Sequence, residues 1–178
     1  MFRKEFTFVT IIVVLVFIFG IYISQNQAKL ETEYPQHAIE LENTDFMLSY
    51  NNNTLQIGSS ASTDVFNVFP QGEMLGLSTI YSPTNLNCLF TFTEHSDILH
   101  KVHISDDQLK TAREVTVGDS FESVVDKYGK SYSWVHKVDN SEDFDAVYGS
   151  DHNCCIVFQV RNGLVTKIIL QKDPPGRL

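Results

Sequence analysis

The side chains best suited to chemistry in this sequence are three cysteines, Cys88, Cys154 and Cys155. Alternation along predicted strands points Cys88 and Cys154 inward at equivalent positions, whereas Cys155 points the opposite way. Outside the cytoplasm, Cys88 could form a disulfide with Cys154 or with Cys155, which leaves one thiol over. The alternative to a disulfide is that the cysteines are small buried thiols in the core. A cysteine nucleophile with His152 as its base is disfavoured, because Cys154 points into the predicted core.

The other candidate groups do not converge on a metal or catalytic site. His100 and His103 are three residues apart on a predicted strand and therefore face opposite sides, which argues against a metal site shared with His95. The acidic segment 139–145, DNSEDFD, lacks the glycine and the terminal glutamate of an EF-hand loop. No phosphate-binding glycine loop, nucleophile elbow or pair of catalytic carboxylates can be placed. The sequence therefore predicts a protein that is not an enzyme and that binds no cofactor and no metal.

Aromatic residues offer a different kind of site, because four of them gather in the segment 131–150. These candidate partner-binding residues are Tyr132, Trp134, Phe144 and Tyr148. Four carboxylates lie among them: Asp139, Glu142, Asp143 and Asp145. Large rigid rings anchor protein interfaces, and an acidic rim would select a basic protein partner. The alternative is that the rings simply cover a sheet.

A short helix flanked by glycines must position these residues. The stretch 115–129 reads as a strand, a turn at Gly118, a helix with Asp119 at its N-cap, and a stop at Gly129. Apolar residues at i, i+3, i+4 and i+7 give the helix one face that packs on a sheet. A similar pattern, with Gly58 before a helix over 60–69, occurs 60 residues earlier.

Strand pairs repeat as well. Segments 154–160 and 164–170 are predicted to form a hairpin through Asn162 and Gly163, and they match 88–93 and 98–104 at a displacement of 66 residues. The predicted fold class is therefore α+β, with two tandem repeats that each pack a short helix on an antiparallel β meander. The first repeat covers 44–110, the second covers 111–173, and 174–178 is a tail.

The N-terminal residues have the composition of a membrane anchor. Residues 6–23 form an uncharged apolar run that follows Arg3 and Lys4, which predicts a transmembrane signal anchor at 1–23 with the rest outside the cytoplasm. A polar stalk covers 24–43. A cleaved signal peptide, giving a secreted protein, is the alternative. A net charge of −9 argues against nucleic-acid binding.

The N-terminus also resembles the processing motif of type IV pilins, in the segment 4–10. Two positions depart from that motif, since Glu5 and Thr10 replace its small residue and its glutamate. A minor pilin-like subunit of a secretion or DNA-uptake system is therefore the alternative functional prediction.

One family resemblance covers the two repeats. Gly118-Asp119-Ser120, Tyr128-Gly129 and Asn162-Gly163-Leu164-Val165 resemble the SmpA/OmlA (BamE-like) unit, and two such units in tandem are similar to the β-lactamase inhibitor protein. The resemblance implies an α+β bacterial surface protein that works by protein–protein contact. The predicted function is a non-enzymatic, membrane-anchored, extracytoplasmic protein-binding module.

Overall fold

The computed structural model describes residues 29–151 and 153–174. The chain divides into two compact units, 1–30 and 31–178. The first unit lies almost wholly outside the described residues.

The described residues form eleven strands, two α-helices and one 3-10 helix. The strands are β1 (Leu30–Glu33), β2 (Met47–Tyr50), β3 (Asn53–Gln56), β4 (Gly72–Met74), β5 (Ile80–Pro83), β6 (Cys88–Phe92), β7 (Leu99–Ile104), β8 (Ser133–Lys137), β9 (Asn140–Asp151), β10 (Cys154–Arg161) and β11 (Leu164–Lys172). The helices are α1 (Ser62–Val68) and α2 (Phe121–Tyr128), and the 3-10 helix spans Asn43–Phe46.

Two tight turns set the register of two hairpins. Asn162 and Gly163 have φ values of 52° and 75° and join β10 to β11, with Arg161 opposite Leu164. Two positive φ angles in a two-residue loop match the right-handed twist of the strands. The predicted Asn-Gly hairpin is confirmed. Asn51 and Asn52, at 48° and 64°, join β2 to β3 in the same way.

Within the described residues, nine strands form one sheet, the main sheet, in the order β1-β8-β9-β10-β11-β7-β6-β5-β4. The pairings from β8 to β4 are antiparallel. Strands β2 and β3 form a separate hairpin. The strand that comes last along the described chain, β11, therefore lies in the middle of the main sheet.

The predicted fold, an α+β arrangement of two tandem repeats with a helix on each meander, is wrong. The structure is dominated by one antiparallel sheet, because β11 pairs directly with β7 and places Ile168 opposite Ile104 and Leu170 opposite Val102. A meander that ends at β7 or β11 would leave a row of unpaired backbone groups at its edge. Pairing those two edges satisfies both rows and joins the strands into one sheet.

The predicted membrane anchor also needs correction. Residues 6–23 lie outside the described residues, and no helix in the described part of the chain has the length and apolarity to cross a membrane. Helices α1 and α2 have 7 and 8 residues, about 12 Å at most, against a hydrocarbon core of about 30 Å. The predictions of a transmembrane signal anchor at 1–23 and of a single-pass cell-membrane location are therefore not supported by the structure. Contact of residues 6–23 with a bilayer stays a prediction.

One face of the main sheet carries the core. Side chains from alternate positions of β6, β7, β10 and β11 are buried there beneath α1, α2 and the β2–β3 hairpin. The largest of them are Phe90, Phe92, Leu99, Ile104, Ile156 and Phe158. The opposite face, which we call the open face, keeps its residues partly exposed. Its central residues are Leu89, Lys101, His103, Val157, Lys167 and Ile169.

A buried ion pair fastens the 3-10 helix to the region of α2. Arg113 Nε donates to Asp45 Oδ1 at 2.6 Å and Arg113 Nη2 donates to Asp45 Oδ2 at 2.8 Å. The guanidinium also donates to the Lys127 carbonyl at 3.1 Å and lies 4.7 Å from the centre of the Tyr128 ring. Burial raises the pKa of Asp45, but hydrogen bonds from Arg113 and from the Glu42 amide, with the Arg113 charge, lower it overall.

Candidate protein-binding site

The β8–β9 hairpin places the predicted aromatic residues on one face. Trp134 lies opposite Ala146 and His136 lies opposite Phe144. Directly opposed residues of an antiparallel pair project to the same side, and Ala146 is fully buried on the core face. The segment 131–150, predicted as an acidic loop or irregular strand, is therefore a regular hairpin whose aromatic residues face the core side.

These rings contact one another in a continuous series, which we call the aromatic row. Phe144 packs edge-on against Phe121 of α2 with centroids 4.9 Å apart, and Phe121 packs edge-on against Tyr132 at 5.2 Å. Tyr132 continues to Tyr148 at 5.5 Å, and Trp134 meets Phe144 at 5.9 Å. The row runs from the fully buried Tyr148 to the partly exposed Trp134.

Tyr148 belongs to the core. Its side chain is 0% exposed, and its hydroxyl donates to the Gly129 carbonyl at 2.9 Å. Burial raises the pKa of Tyr148, and Tyr132 and Tyr128 add to the increase. A partner protein would find no surface of Tyr148 to contact. Tyr132 and Phe144 are partly buried against the core, so only the outer part of the row is accessible.

Trp134 is the outermost ring and rests on His136. Their ring centroids are 4.0 Å apart at an angle of 30°. His136 is buried, with Nδ1 2.9 Å from the Lys137 carbonyl and Nε2 3.8 Å from Glu33 Oε1 of β1. The imidazole ring therefore packs against one face of the indole, which limits the motion of the Trp134 side chain. The sequence prediction did not include His136, although its position two residues after Trp134 on a strand places both on one face.

The acidic residues are less concentrated than predicted. Asp145 lies on the open face, and its Oδ1 accepts hydrogen bonds from both terminal nitrogens of Arg161 at 3.1 Å. Asp143 accepts a hydrogen bond from the Asn162 amide at 3.3 Å. Asp139 and Glu142 are exposed at the tip of the hairpin. The carboxylates available to a partner are therefore mainly those of the tip.

The predicted disulfide between Cys88 and Cys154 is not formed, and both thiols are reduced. Cys88 lies on β6 and Cys154 on β10, and strands β7 and β11 lie between these two. Three strand spacings amount to about 14 Å, whereas a disulfide needs Cα atoms within about 7 Å. Within this fold the pair cannot be bridged. His152, considered as a base for Cys154, lies outside the described residues.

We expect Cys88 to be inert toward thiol reagents in the folded protein. Burial, with a further contribution from the charge of Asp106, raises the pKa of the Cys88 thiol to about 12. At pH 8 only about one molecule in 10⁴ would carry the reactive thiolate, and reagents must also reach a 3% exposed side chain. Iodoacetamide labelling followed by peptide mapping should find Cys88 unmodified until urea unfolds the chain. The partly exposed Cys154 is the internal control, and labelling of both at one rate would contradict the burial of Cys88.

The three histidines considered for a metal site, His95, His100 and His103, do not converge. His100 Nδ1 lies 3.2 Å from Asp173 Oδ1, His103 is on the open face, and His95 is exposed between β6 and β7. Among the described residues, no group of three or more His, Cys, Asp or Glu side chains could hold a metal ion.

Comparison with known proteins adds little to this geometry. No protein family and no curated protein matches the sequence. The chain is similar in structure to an extracellular protein containing a SCP domain from Bacillus anthracis str. Ames, with 9% identity and a TM-score of 0.47 over 66% of this chain and 44% of that one. This chain thus spans less than half the length of that structure. The SmpA/OmlA resemblance is not addressed by these comparisons and stays a prediction.

Proposed function

We propose that this protein is a non-enzymatic protein-binding module, and that a basic segment of another protein binds where the aromatic row reaches the surface. The observation that carries the proposal is the placement of Trp134. Its indole is partly exposed, is supported by His136 and Phe144, and lies on the hairpin whose tip exposes Asp139 and Glu142.

A supported indole is a favourable anchor for a partner. Tryptophan offers a large contact area at a small cost in rotamer entropy, and such rings dominate the binding energy of many interfaces. Trp134 lies four residues before the turn of the hairpin, which begins at Val138, a distance of about 13 Å along a strand. A lysine or arginine of a partner segment that covers Trp134 would therefore reach the carboxylates of the tip.

The charge of the tip also favours a basic partner over an acidic one. Opposite charges at the rim of an interface accelerate association and reject partners of the wrong sign. The protein as a whole carries a net charge of −9, which adds a long-range attraction for a cationic partner at low ionic strength.

Substitution of Trp134 by alanine tests the proposal. A photo-crosslinking amino acid at the exposed position of Lys137, incorporated in the native host, first identifies the protein that contacts the hairpin. Trp134→Ala should then weaken binding of that protein by about 2 kcal/mol or more, roughly 30-fold in Kd. The midpoint of thermal unfolding should change little, because Trp134 lies outside the buried core.

Leu77→Ala is the matched control. Leu77 is a large apolar residue that is fully exposed between β4 and β5, at the far edge of the main sheet, and its truncation should leave Kd within twofold of the wild type. The proposal fails if Trp134→Ala leaves Kd unchanged. It also fails if that variant loses 3–5 kcal/mol of stability, the cost of truncating a core aromatic residue.

The alternative prediction, a minor pilin-like subunit, depends on residues 4–10. These lie outside the described residues, and no observation on the described part of the chain favours that function.

A further inference from the structure

A continuous apolar stripe crosses the open face of the main sheet. Pairing registers place Val147 opposite Val157, Val157 opposite Ile169, Ile169 opposite His103, and His103 opposite Leu89. Directly opposed residues share a face, and all five are partly exposed. We call this set the open-face stripe: Val147, Val157, Ile169, His103 and Leu89. It spans five strands, about 19 Å from end to end.

Two lysines flank the histidine of the stripe. Lys101 lies two residues before His103 on β7, and Lys167 lies two residues before Ile169 on β11. The pKa of His103 is lowered, chiefly by burial and further by the positive charges of these two lysines. Within the described residues neither lysine forms an ion pair. No ion pair with the described residues therefore neutralises the positive charge beside the stripe.

This local charge is opposite to that of the whole molecule. The chain has 22 acidic and 13 basic residues, so its average charge is negative. Two lysines without an ion pair beside an apolar stripe are therefore an exception among the described residues. By contrast, Arg161 of the open face is bound to Asp145. A partner with apolar side chains and carboxylates would match both features.

We propose that the open-face stripe binds an acidic amphipathic helix of another protein. The apolar side of that helix covers Val157, Ile169 and Leu89, and its carboxylates pair with Lys101 and Lys167. This surface is on the opposite side of the main sheet from the aromatic row, and the proposal does not depend on the function proposed above.

The strand pairing explains why the occupant is a helix and not an added strand. Strands β10, β11, β7 and β6 each have a neighbour on both sides, so their backbone groups are already used. A bound segment must therefore satisfy its own backbone hydrogen bonds. A helix does so, and a length of about 19 Å corresponds to about 13 helical residues.

A protein helix also fits this surface better than an anionic membrane. Both lysines are partly buried, and they lie on either side of a narrow apolar stripe. Lipid headgroups in a plane favour lysines that extend beyond their surroundings.

Synthetic peptides provide the test. The probe is a helical peptide of about 14 residues with leucines along one side and glutamates elsewhere, and its twin has lysine in place of every glutamate. At physiological salt, which screens the net charge of the protein, we expect the glutamate peptide to bind at the open-face stripe at least tenfold more tightly than the lysine peptide does. Its amide chemical-shift changes should lie at Val157, Ile169, His103 and Leu89.

Removal of the two lysine charges tests their contribution to peptide binding. The double variant Lys101→Gln/Lys167→Gln should weaken binding of the glutamate peptide by on the order of tenfold. The control Lys110→Gln/Lys130→Gln removes the same charge from exposed positions away from the stripe and should change Kd by less than twofold. Unchanged thermal unfolding of both variants would exclude a folding effect.

Three results would overturn the proposal. The glutamate peptide could fail to bind, could bind at the open-face stripe no better than its twin, or could change the chemical shifts of amides elsewhere. The two double variants could lose affinity equally, which would indicate net charge alone. Finally, vesicles of phosphatidylserine and phosphatidylcholine could bind in a manner that depends on Lys101 and Lys167 while the peptide does not, which would assign this face to a membrane surface.

Discussion

Replacement of Tyr148 by alanine is expected to lower the free energy of unfolding by about 3–5 kcal/mol. The ring is 0% exposed and packs against Tyr128 at 5.3 Å and Phe158 at 5.8 Å, so its removal leaves a cavity between α2 and the main sheet. The Gly129 carbonyl also loses its hydrogen bond from the hydroxyl. Urea denaturation followed by tryptophan fluorescence would measure the change.

Tyr148→Phe separates the two contributions. This variant keeps the ring and loses only the hydrogen bond to Gly129, so we expect a cost of about 0.5–1.5 kcal/mol. A loss below 1 kcal/mol for Tyr148→Ala would show that the residue is not part of the core. Tyr148 would then return to the set of candidate partner-binding residues.

Replacement of Arg113 by alanine is expected to cost about 2–4 kcal/mol. The loss of one partner leaves the Asp45 carboxylate, which is 3% exposed, without its counter-charge. Breaking a fully buried pair costs about 3–5 kcal/mol, and the partial exposure of the Arg113 side chain, 31%, reduces this figure. Thermal and urea unfolding at neutral pH would measure the loss.

The stability that this ion pair contributes depends on pH, and the direction of the change follows from the pKa of Asp45. Because the pKa of Asp45 is lower in the folded protein than in the unfolded chain, the ion pair contributes its full stability above the unfolded value, near 4. That contribution is lost as the pH falls through the folded value. The difference in stability between the wild type and Asp45→Asn should therefore shrink below about pH 4.

Lys110→Ala is the control for the ion pair. Lys110 pairs with Glu114 at 3.4 Å on the surface, where both side chains are more than half exposed. Its removal should change stability by less than about 0.5 kcal/mol. Equal losses for the Arg113 and Lys110 variants would contradict the structural importance of the buried pair.

Local signals in the sequence predicted local structure well. The Asn162–Gly163 turn and the apolar spacing of α2 depend on a few neighbouring residues, and both are present in the structure. The N-cap was misplaced by one residue: Ser120 caps α2 by accepting from the Ser123 amide, whereas Asp119 accepts from the Thr116 amide. Both side chains can satisfy amides near a helix start, and the sequence alone does not choose between them.

The arrangement of the strands was not predictable from the same signals. The pairing of β7 with β11 joins segments about 65 residues apart, and neither segment has a feature that specifies its neighbour. The repeat pattern favoured two separate sheets, because it describes what the halves share and not how their edges meet. Segment 30–33, assigned to a polar stalk, forms strand β1 although all four of its residues are exposed, so it lacks the apolar alternation typical of a strand.

The candidate sites likewise depend partly on local sequence signals and partly on the arrangement of the strands. Closeness in the sequence was enough to group Tyr132, Trp134 and Phe144, but Phe121 joins the row only through the packing of α2 on the main sheet. The open-face stripe depends on the registers of five strands, which no single segment of the sequence contains. Its individual members look like ordinary partly exposed strand residues.

The central position of β11 has a consequence for synthesis of the protein. A ribosome produces β1 to β10 before the strand that joins the two halves of the main sheet, so during that time the edges of β7 and β10 have no partner. Unpaired edges of this kind invite association with other chains. At about 5–20 residues per second, the interval between the completion of β7 and that of β11 lasts several seconds. The nascent chain therefore passes through a period in which two strand edges are unpaired, and rapid elongation or chaperone binding would limit association of those edges with other chains.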